Sequence, residues 1–283
     1  MHLYTAETFA GLRCLRLTLP CGDTVLVALH GAHVLSWKVA GVEQLYLSPR
    51  AVLDGRAAIR GGVPLCFPQF NQRGTLPKHG FVRNMSWKVG ATHCGPDSAS
   101  VVLHLSASEA TRRVWPQEFE ASLKVDLTPG ALQITLDVTN ADAIDLLFSG
   151  ALHTYLAVDD IAHTRLQGLG GQGQWDALTD THTVAEQTLE FDGEFDRVFG
   201  AADASLVMRC GQRVTTIAQS RSWANTVVWN PGALRCAELA DMPADGYSHM
   251  LCVEAAQVFE PITVGPGQTW QGWQRLVSTI EPC

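Results

Sequence analysis

Apolar and polar residues alternate with a period of two along much of the chain. The runs Leu15–Leu19 and Leu132–Thr139 show this alternation without interruption. Successive side chains of a β-strand point to opposite faces of its sheet, so the pattern predicts strands with one buried face. Similar β-like runs, bounded by Gly, Pro, Asn or Asp, are Thr24–Leu29, Val34–Val39, Val101–Leu105, Leu123–Leu127, Ser205–Met208, Val214–Ala218, Thr226–Trp229 and Leu251–Val253.

Helical periodicity is weak by comparison. No stretch of about 12 residues or more carries the i, i+3, i+4 apolar stripe of an amphipathic helix. No linker-like stretch, charge block or internal repeat divides the chain. The pattern therefore predicts a single all-β domain over residues 1–283, built as an antiparallel β-sandwich or a pair of packed sheets with functional loops.

Composition narrows the classes of function. The 283 residues include 20 Lys and Arg against 28 Asp and Glu, a formal net charge of −8, and 46% are apolar. An acidic balance argues against a sequence-independent DNA or RNA binder, which needs a basic face. The apolar content excludes intrinsic disorder, and no apolar run reaches the roughly 18 residues of a transmembrane span. We expect neither a nucleic-acid nor a membrane partner.

The N-terminal sequence and the cysteines indicate a compartment. The opening residues, MHLYTAETFAG, lack the basic and apolar regions of a secretory signal. The eight cysteines form no C-x-x-C pair, and Cys66 and Cys252 lie inside apolar runs. Reduced, buried thiols are typical of proteins in reducing compartments. We therefore expect a cytoplasmic protein without a disulfide framework.

Two segments bounded by Gly or Pro concentrate positive charge in this acidic chain. Arg60 precedes two glycines, where the backbone can approach a ligand closely while a guanidinium points at it. A second segment, PKHGFVRN, holds Lys78, His79 and Arg83. Together these side chains would suit a pocket for an anionic group. Solvated surface loops are the alternative for both segments.

Three further residues stand out by their chemistry. Glu254 closes the apolar run MLCV, and a glutamate is almost never fully buried without a partner or a task. A strand-end carboxylate facing a cleft is the functional interpretation. His153, in LHTYL, fits the usual pattern of a hydrogen-bonded core histidine, and Asp196 that of a structural pair with Arg197.

Taken together, these segments resemble the aldose 1-epimerase superfamily, most closely its hexose-6-phosphate mutarotase branch. The matching segments, in the family's order, are RGGVPLCFP at 60–68, HGFVRN with Trp87 at 79–87, ALHTYL at 151–156, the Asp196-Arg197 pair, VVWNP at 227–231 and MLCVEAA at 250–256. The resemblance implies an antiparallel β-supersandwich of the galactose mutarotase-like type, with few short helices and with the sugar in a cleft on one sheet.

The resemblance also implies catalytic and sugar-binding roles, residue by residue. His153 corresponds to the general acid that protonates the ring oxygen. Glu254 corresponds to the general base that takes the proton of the anomeric hydroxyl. Asp196 would hold sugar hydroxyls, and His79 would orient the ring-oxygen end of the sugar.

The basic residues correspond to an anion site in this branch. Arg60 and Arg83 resemble the arginines that contact the substrate and its phosphate, and we include Lys78 in the predicted site. The chain departs from the branch at two positions. Lys78 stands where the branch often has Gln, and Gly232 stands where a bulky aromatic residue is common.

The expected reaction is exchange between the α and β anomers of a hexose 6-phosphate, with glucose 6-phosphate as the expected substrate. Acid–base opening and closure of the ring requires no metal and no cofactor, and the spacing of His and Cys shows no ligand set. We expect a monomer. The open alternatives are a mutarotase of unphosphorylated aldoses such as galactose, a non-catalytic carbohydrate-binding β-sandwich, and a sugar lyase or hydrolase on a related sandwich.

Overall fold

A computed structural model describes residues 4–202 and 204–280, which form three sheets of antiparallel strands. The strands of these residues are, in chain order, β1 Tyr4–Phe9, β2 Leu12–Thr18, β3 Thr24–Ala28, β4 His33–Val39, β5 Val42–Glu43, β6 Leu65–Cys66, β7 Lys88–Cys94, β8 Ala99–Ser106, β9 Phe119–Thr128, β10 Ala131–Asn140, β11 Leu146–Leu152, β12 Tyr155–Ala157, β13 Thr164–Gln167, β14 Gly173–Asp176, β15 Thr181–Val184, β16 Thr188–Leu189, β17 Phe195–Gly200, β18 Leu206–Cys210, β19 Arg213–Gln219, β20 Asn225–Asn230, β21 Met250–Val264 and β22 Thr269–Ile280.

Helical structure in the described part of the chain is confined to short segments. The α-helices are α1 Glu109–Arg112 and α2 Gly232–Ala237, and the 3₁₀ turns are Val82–Asn84, Ile161–His163 and Gly246–His249. None of the helices in these ranges is long and apolar enough to cross a membrane. The predicted all-β fold with few short helices is confirmed.

The strand order separates the chain into an N-terminal sheet and two larger sheets. The first runs β1-β2-β3-β4-β5, so it is built from consecutive strands. The nine-stranded sheet runs β16-β13-β18-β19-β22-β10-β9-β8-β7. The eight-stranded sheet runs β15-β14-β17-β20-β21-β11-β6, and β12 also pairs with β21. The two larger sheets therefore interleave segments from distant parts of the chain.

One cluster of buried side chains joins the three sheets and forms the main core. From the eight-stranded sheet, Val228 of β20 and Val253 of β21 belong to it. Neighbouring residues on a strand face opposite ways, so Cys252 and Glu254 point to the outer face of this sheet. That face is covered too, and β21 is buried from Met250 through Val258. A strand buried on both faces has a near-continuous apolar sequence, as this one does.

Candidate active site

A cleft with a volume of about 450 Å³ opens on the outer face of the eight-stranded sheet. Side chains from the sheet and from the loops above it form its walls: Arg60, Phe70, Asn71, Arg73, Lys78, His79, His153, Trp175, Ala177, Glu194, Asp196, Val198, Val227, Trp229, Arg235, Leu239 and Glu254. The cleft thus brings together six of the seven residues selected from the sequence. The seventh, Arg83, lies outside this lining.

The strand register sets the layout of the cleft floor. In one row across the sheet, Val198 lies opposite Val227, which lies opposite Glu254. In the next row, Asp196 lies opposite Trp229. Neighbouring strands are about 4.8 Å apart. The floor therefore carries two carboxylates, two strands and one row apart, with apolar and aromatic surface between them.

Glu254 lies inside its strand. The expectation that it closes a strand is wrong, because β21 continues to Val264. The sequence after Glu254, AAQV, keeps the strand buried with small and apolar side chains, so the strand passes under the cleft without a break. The carboxylate is therefore held by a central strand, which fixes its position better than a loop would.

The ring of His153 is fixed between aromatic side chains and lies beside Glu254. His153 connects β11 and β12, and its amide donates to Pro64 O at 3.0 Å. Its imidazole stacks on Tyr155, with ring centroids 4.9 Å apart and planes within 10°, and meets Trp229 at 6.1 Å. Nδ1 lies 3.2 Å from Glu254 Oε1, without the alignment of a hydrogen bond. At this separation, the charge on either group affects the pKa of the other.

Burial controls the protonation of this pair. Glu254 is 1% exposed, and burial raises the pKa of its carboxyl well above the ordinary 4.5, with a further contribution from the charge of Asp196. Burial lowers the pKa of His153 well below 6.5, with further contributions from the neighbouring His79 and from the guanidinium groups of Arg60 and Arg83. Both shifts disfavour the charged forms. Burial thus favours a protonated carboxyl and a neutral imidazole, which is one proton on the pair.

Asp196 faces the cleft, and the adjacent Arg197 pairs with a different carboxylate. Arg197 Nε bonds Asp176 Oδ2 at 3.0 Å, and its guanidinium lies over Phe195. The alternative of an Asp196–Arg197 pair is therefore wrong. Burial raises the pKa of Asp196 to about 6, and the charge of Glu194 adds to this. A carboxylate in this state accepts hydrogen bonds from ligand hydroxyls readily, because such bonds relieve its desolvation.

A tight turn presents Arg60 to the cleft. Arg60 Nε lies 3.2 Å from both carboxylate oxygens of Asp241, and Nη1 donates to Tyr155 Oη at 3.1 Å. The next residue, Gly61, has φ +105°, and its carbonyl oxygen lies 2.7 Å from Nε2 of the buried His33. The turn is therefore anchored to strand β4 through His33. Arg60 also helps to hold Tyr155, whose ring stacks on that of His153.

Gly61→Ala should disturb both stability and activity. A Cβ at this position would lie 2.3 Å from Tyr46 O and 2.6 Å from Leu47 Cα, so the backbone must move and carry Arg60 with it. We expect a free energy of unfolding lower by about 1–3 kcal/mol and a lower kcat/KM. The control is Gly41→Ala, where φ is +81° but a Cβ would meet no atom within 4 Å. Equal effects of the two substitutions, measured by thermal unfolding and sugar turnover, would contradict this account of the turn.

His79 is held as a neutral imidazole. It adopts φ +64°, and its Nδ1 accepts from Asn71 N at 3.2 Å and lies 3.1 Å from Cys66 Sγ. An accepting Nδ1 places the ring proton on Nε2. Burial lowers the pKa of His79 to about 3, and the charge of Arg83 lowers it further, so the ring stays neutral. One N–H donor of fixed position is suited to a ring or hydroxyl oxygen.

A smaller cavity of about 160 Å³ adjoins the cleft, and the two share Arg60, Lys78, His79 and His153 in their linings. Arg83 lines this smaller cavity. Its Nη2 donates to Lys78 O at 2.9 Å, and its buried Nε has no hydrogen-bond partner among the described residues. The predicted cationic side chains therefore lie together, around a space next to His153 that Asp241 also lines.

Lys78 lies at the rim shared by the two cavities. Partial burial lowers the pKa of its ammonium, and the charges of Arg235, Arg60 and Arg83 lower it further. No carboxylate in residues 4–202 and 204–280 forms an ion pair with it. An ammonium that is surrounded by guanidinium groups and lacks an acidic partner is stabilised by an incoming anion.

The structure adds site residues that sequence analysis did not select. Tyr155 and Trp229 hold the ring of His153, and both lie in segments that carried the family resemblance. The i, i+2 spacing of His153 and Tyr155 is a signal that both face the same way. Trp175 and Arg235 also line the cleft. No sequence pattern indicates these two, because only the folded sheet order brings β14 and α2 to the cleft.

Sequence comparison places the chain among known proteins. The profile of the family described as aldose 1-epimerase matches residues 13–277. A Cenchrus ciliaris protein named "Putative glucose-6-phosphate 1-epimerase" is 36% identical over 258 residues, which cover 87% of this chain and 78% of that protein. An Escherichia coli K12 protein of the same name is 36% identical over 247 residues, covering 82% and 79%.

Solved structures show the same fold. The Salmonella typhimurium protein YeaD, titled a "putative mutarotase", superposes with a TM-score of 0.91 at 28% identity, over 99% of this chain and 95% of that one. A galactose mutarotase-like protein of Clostridium acetobutylicum gives 0.76 at 16% identity, over 98% of both chains, and shows the fold alone. With the family profile spanning almost the whole sequence, the chain belongs to the aldose 1-epimerase family and is an isomerase.

Proposed function

We propose that this protein interconverts the α and β anomers of a hexose 6-phosphate, with glucose 6-phosphate as the substrate. The observation that carries the proposal is the pair of adjoining cavities. The larger one holds the carboxyl–imidazole pair, and the smaller one is lined by Arg60, Lys78 and Arg83 together with Asp241, the ion-pair partner of Arg60. His153 lines both of them. The curated relatives at 36% identity carry a name that points to the same substrate.

The connectivity of a hexose 6-phosphate matches this arrangement. C6 is bonded to C5, which carries the ring oxygen, so the phosphate must lie next to the group that protonates the ring oxygen. The proposed acid, His153, stands at the junction of the two cavities. A sugar ring in the cleft with its phosphate in the smaller cavity would place O5 near His153 and O1 near Glu254. Guanidinium groups suit the phosphate end, because they bind phosphate oxygens bidentately and keep their charge.

The reaction then needs one proton to move at each end of the hemiacetal. Glu254 takes the proton of the O1 hydroxyl while His153 gives a proton to O5, the C1–O5 bond breaks, and an open-chain aldehyde forms. Rotation about C1–C2 presents the other face of the carbonyl. The reverse transfers close the ring as the other anomer and restore both groups. Atoms and charges balance without a metal or redox agent.

The electrostatics of the pair suit this cycle. Ring opening converts carboxylate and imidazolium into carboxylic acid and neutral imidazole. The raised pKa of Glu254 and the lowered pKa of His153 reflect burial that disfavours the charged pair, so the proton transfers of ring opening run towards the neutral forms that burial favours. Asp196 and His79 are proposed to accept from and donate to the sugar, so that O1 and O5 meet the pair in the productive orientation.

The pKa shift of Glu254 predicts the alkaline side of the pH profile. The reaction needs one proton on the pair, so kcat/KM should fall as the pH rises through the raised pKa of Glu254, where that proton is lost. Because the charge of Asp196 adds to this pKa, Asp196→Asn should move the fall to lower pH. Profiles of kcat/KM for both proteins test this. A fall at unchanged or higher pH in Asp196→Asn would contradict the electrostatic account.

Anomer exchange measured by NMR tests the proposed function. Saturation transfer between the anomeric protons of glucose 6-phosphate should speed up in proportion to protein concentration. A protein that binds the sugar phosphate without accelerating exchange would be a carbohydrate-binding sandwich, and the proposal would be wrong.

A further inference from the structure

A third side chain with a soft donor atom lies beside the proposed catalytic pair. Cys252 precedes Glu254 by two residues on β21, so both side chains point to the outer face of the sheet. One ligand atom each from His153, Cys252 and Glu254 can be chosen so that all lie within 4.8 Å of one another. The proposed mutarotation uses no thiol, so Cys252 has no part in that reaction.

All three groups are buried and partly without partners. Cys252 is 0% exposed and Glu254 is 1% exposed. Within the described residues, His153 Nδ1 and Glu254 Oε2 are buried atoms that lack a hydrogen-bond partner. Buried polar atoms without partners are costly, and a bound cation would satisfy both of them.

The donor set is the one that zinc prefers. Zn²⁺ takes imidazole nitrogen, thiolate sulfur and carboxylate oxygen in tetrahedral sites, at about 2.0–2.3 Å. Such bond lengths put ligand atoms roughly 3–4 Å apart. Side-chain rotations that move the ligand atoms by about 1 Å would therefore complete the site. Three protein ligands leave a fourth position, and the cleft supplies room there for water or a sugar hydroxyl.

We propose that His153, Cys252 and Glu254 form a binding site for Zn²⁺ or another thiophilic divalent cation, and that the ion inhibits the enzyme. Binding would release two protons to solvent, the thiol proton of Cys252 and the one shared by the pair, because thiolate and carboxylate are the ligating forms. The charges of the ion, the thiolate and the carboxylate then cancel, and the nearby Asp196 carboxylate offsets the repulsion from Arg60.

The inhibition rests on the proposed function, whereas the binding does not. An ion held by His153, Cys252 and Glu254 would engage the imidazole and the carboxylate that the proton transfers need. Zinc should therefore inhibit as a competitor of the sugar. Chelator treatment of the metal-free protein should leave its activity unchanged, because the reaction itself needs no metal.

Direct binding is tested with Co²⁺, whose thiolate complexes absorb strongly through ligand-to-metal charge transfer. The background protein carries Ser at the exposed Cys21 and Cys94 and at Cys283, so that these three thiols do not contribute. One equivalent of Co²⁺ should produce the charge-transfer band. The band should vanish in Cys252→Ser and in Cys252→Ala, and persist in the control Cys14→Ala, which removes a buried thiol from strand β2. Absence of the band, or its persistence without Cys252, would overturn the site.

Inhibition is tested by anomer exchange at increasing Zn²⁺. Cys252→Ser should keep its turnover without metal and should need at least about tenfold more Zn²⁺ for half-inhibition, since even outer-shell changes cost about 10–100-fold in metal affinity. Zinc that binds through Cys252 without slowing exchange would overturn the inhibition and the assignment of the catalytic pair, and would leave the metal site standing. Failure of zinc to bind would overturn the metal site and leave the proposed function intact.

Discussion

Glu254→Gln should lower kcat for anomer exchange of glucose 6-phosphate by about a hundredfold or more. The amide keeps the size of the side chain but cannot take the proton of the anomeric hydroxyl, and a general base is typically worth about 10²–10⁴-fold. His153→Ala should cause a loss of similar size through the other proton transfer. Exchange NMR on each purified variant gives the rates, and near wild-type turnover by Glu254→Gln would contradict the assignment.

Thermal unfolding separates this loss from misfolding. A buried carboxyl with a raised pKa in the folded state contributes stability that is present at low pH and is lost as the pH rises through that pKa. At neutral pH the amide carries no ionisable group and avoids this loss. Glu254→Gln should therefore melt no lower than wild type. A variant that is both inactive and markedly less stable would leave the loss of rate explained by folding, and His153→Ala would then decide the assignment.

Arg83→Ala should lower kcat/KM for glucose 6-phosphate by about 10–150-fold and affect glucose much less. Its guanidinium lines the cationic cavity, and its buried Nε has no partner among the described residues, so the substrate phosphate is the partner that we assign to it. A charge-assisted hydrogen bond is worth about 1.5–3 kcal/mol, and each 1.36 kcal/mol corresponds to about tenfold in rate. Equal losses for the two sugars would show that the arginine does not recognise phosphate.

Two further arginines serve as comparisons. Arg113→Ala removes an exposed guanidinium that pairs with Glu109 and lines neither cavity, so it should change neither rate. Arg60→Ala should impair both sugars, because Arg60 also bonds Tyr155, which stacks on His153. The contrast between Arg83 and Arg60 thus distinguishes phosphate binding from support of the acid.

Much of the fold follows from side-chain periodicity, and the exceptions have physical reasons. The alternating run Leu132–Thr139 lies inside β10, whose one face packs on the core. Strand β7, Lys88–Cys94, is exposed at every residue and lies at the edge of its sheet, so no buried face imposes a pattern on it. The run Leu251–Val253 marked only the start of β21, because small residues and one carboxylate interrupt the apolar pattern where the strand passes under the cleft.

Some features of the candidate site could likewise be predicted from the sequence, and others could not. Glu254 stood out because a carboxylate in an apolar run is costly, and that cost is visible in the sequence. The bond of Arg60 to Asp241 joins residues 181 positions apart, and no local pattern encodes it. The stacking of His153 on Tyr155 and the position of Arg83 in a separate cavity depend on sheet register and loop packing, which only the folded chain determines.

Side-by-side measurement of kcat/KM for anomer exchange of glucose 6-phosphate and of glucose tests the central claim most directly. Exchange NMR follows both sugars with one enzyme preparation and identical conditions. The account predicts a preference for glucose 6-phosphate of about tenfold or more, since at least one charge-assisted contact is made only by the phosphate. Equal or faster exchange of glucose would contradict it and would indicate a mutarotase of unphosphorylated aldoses.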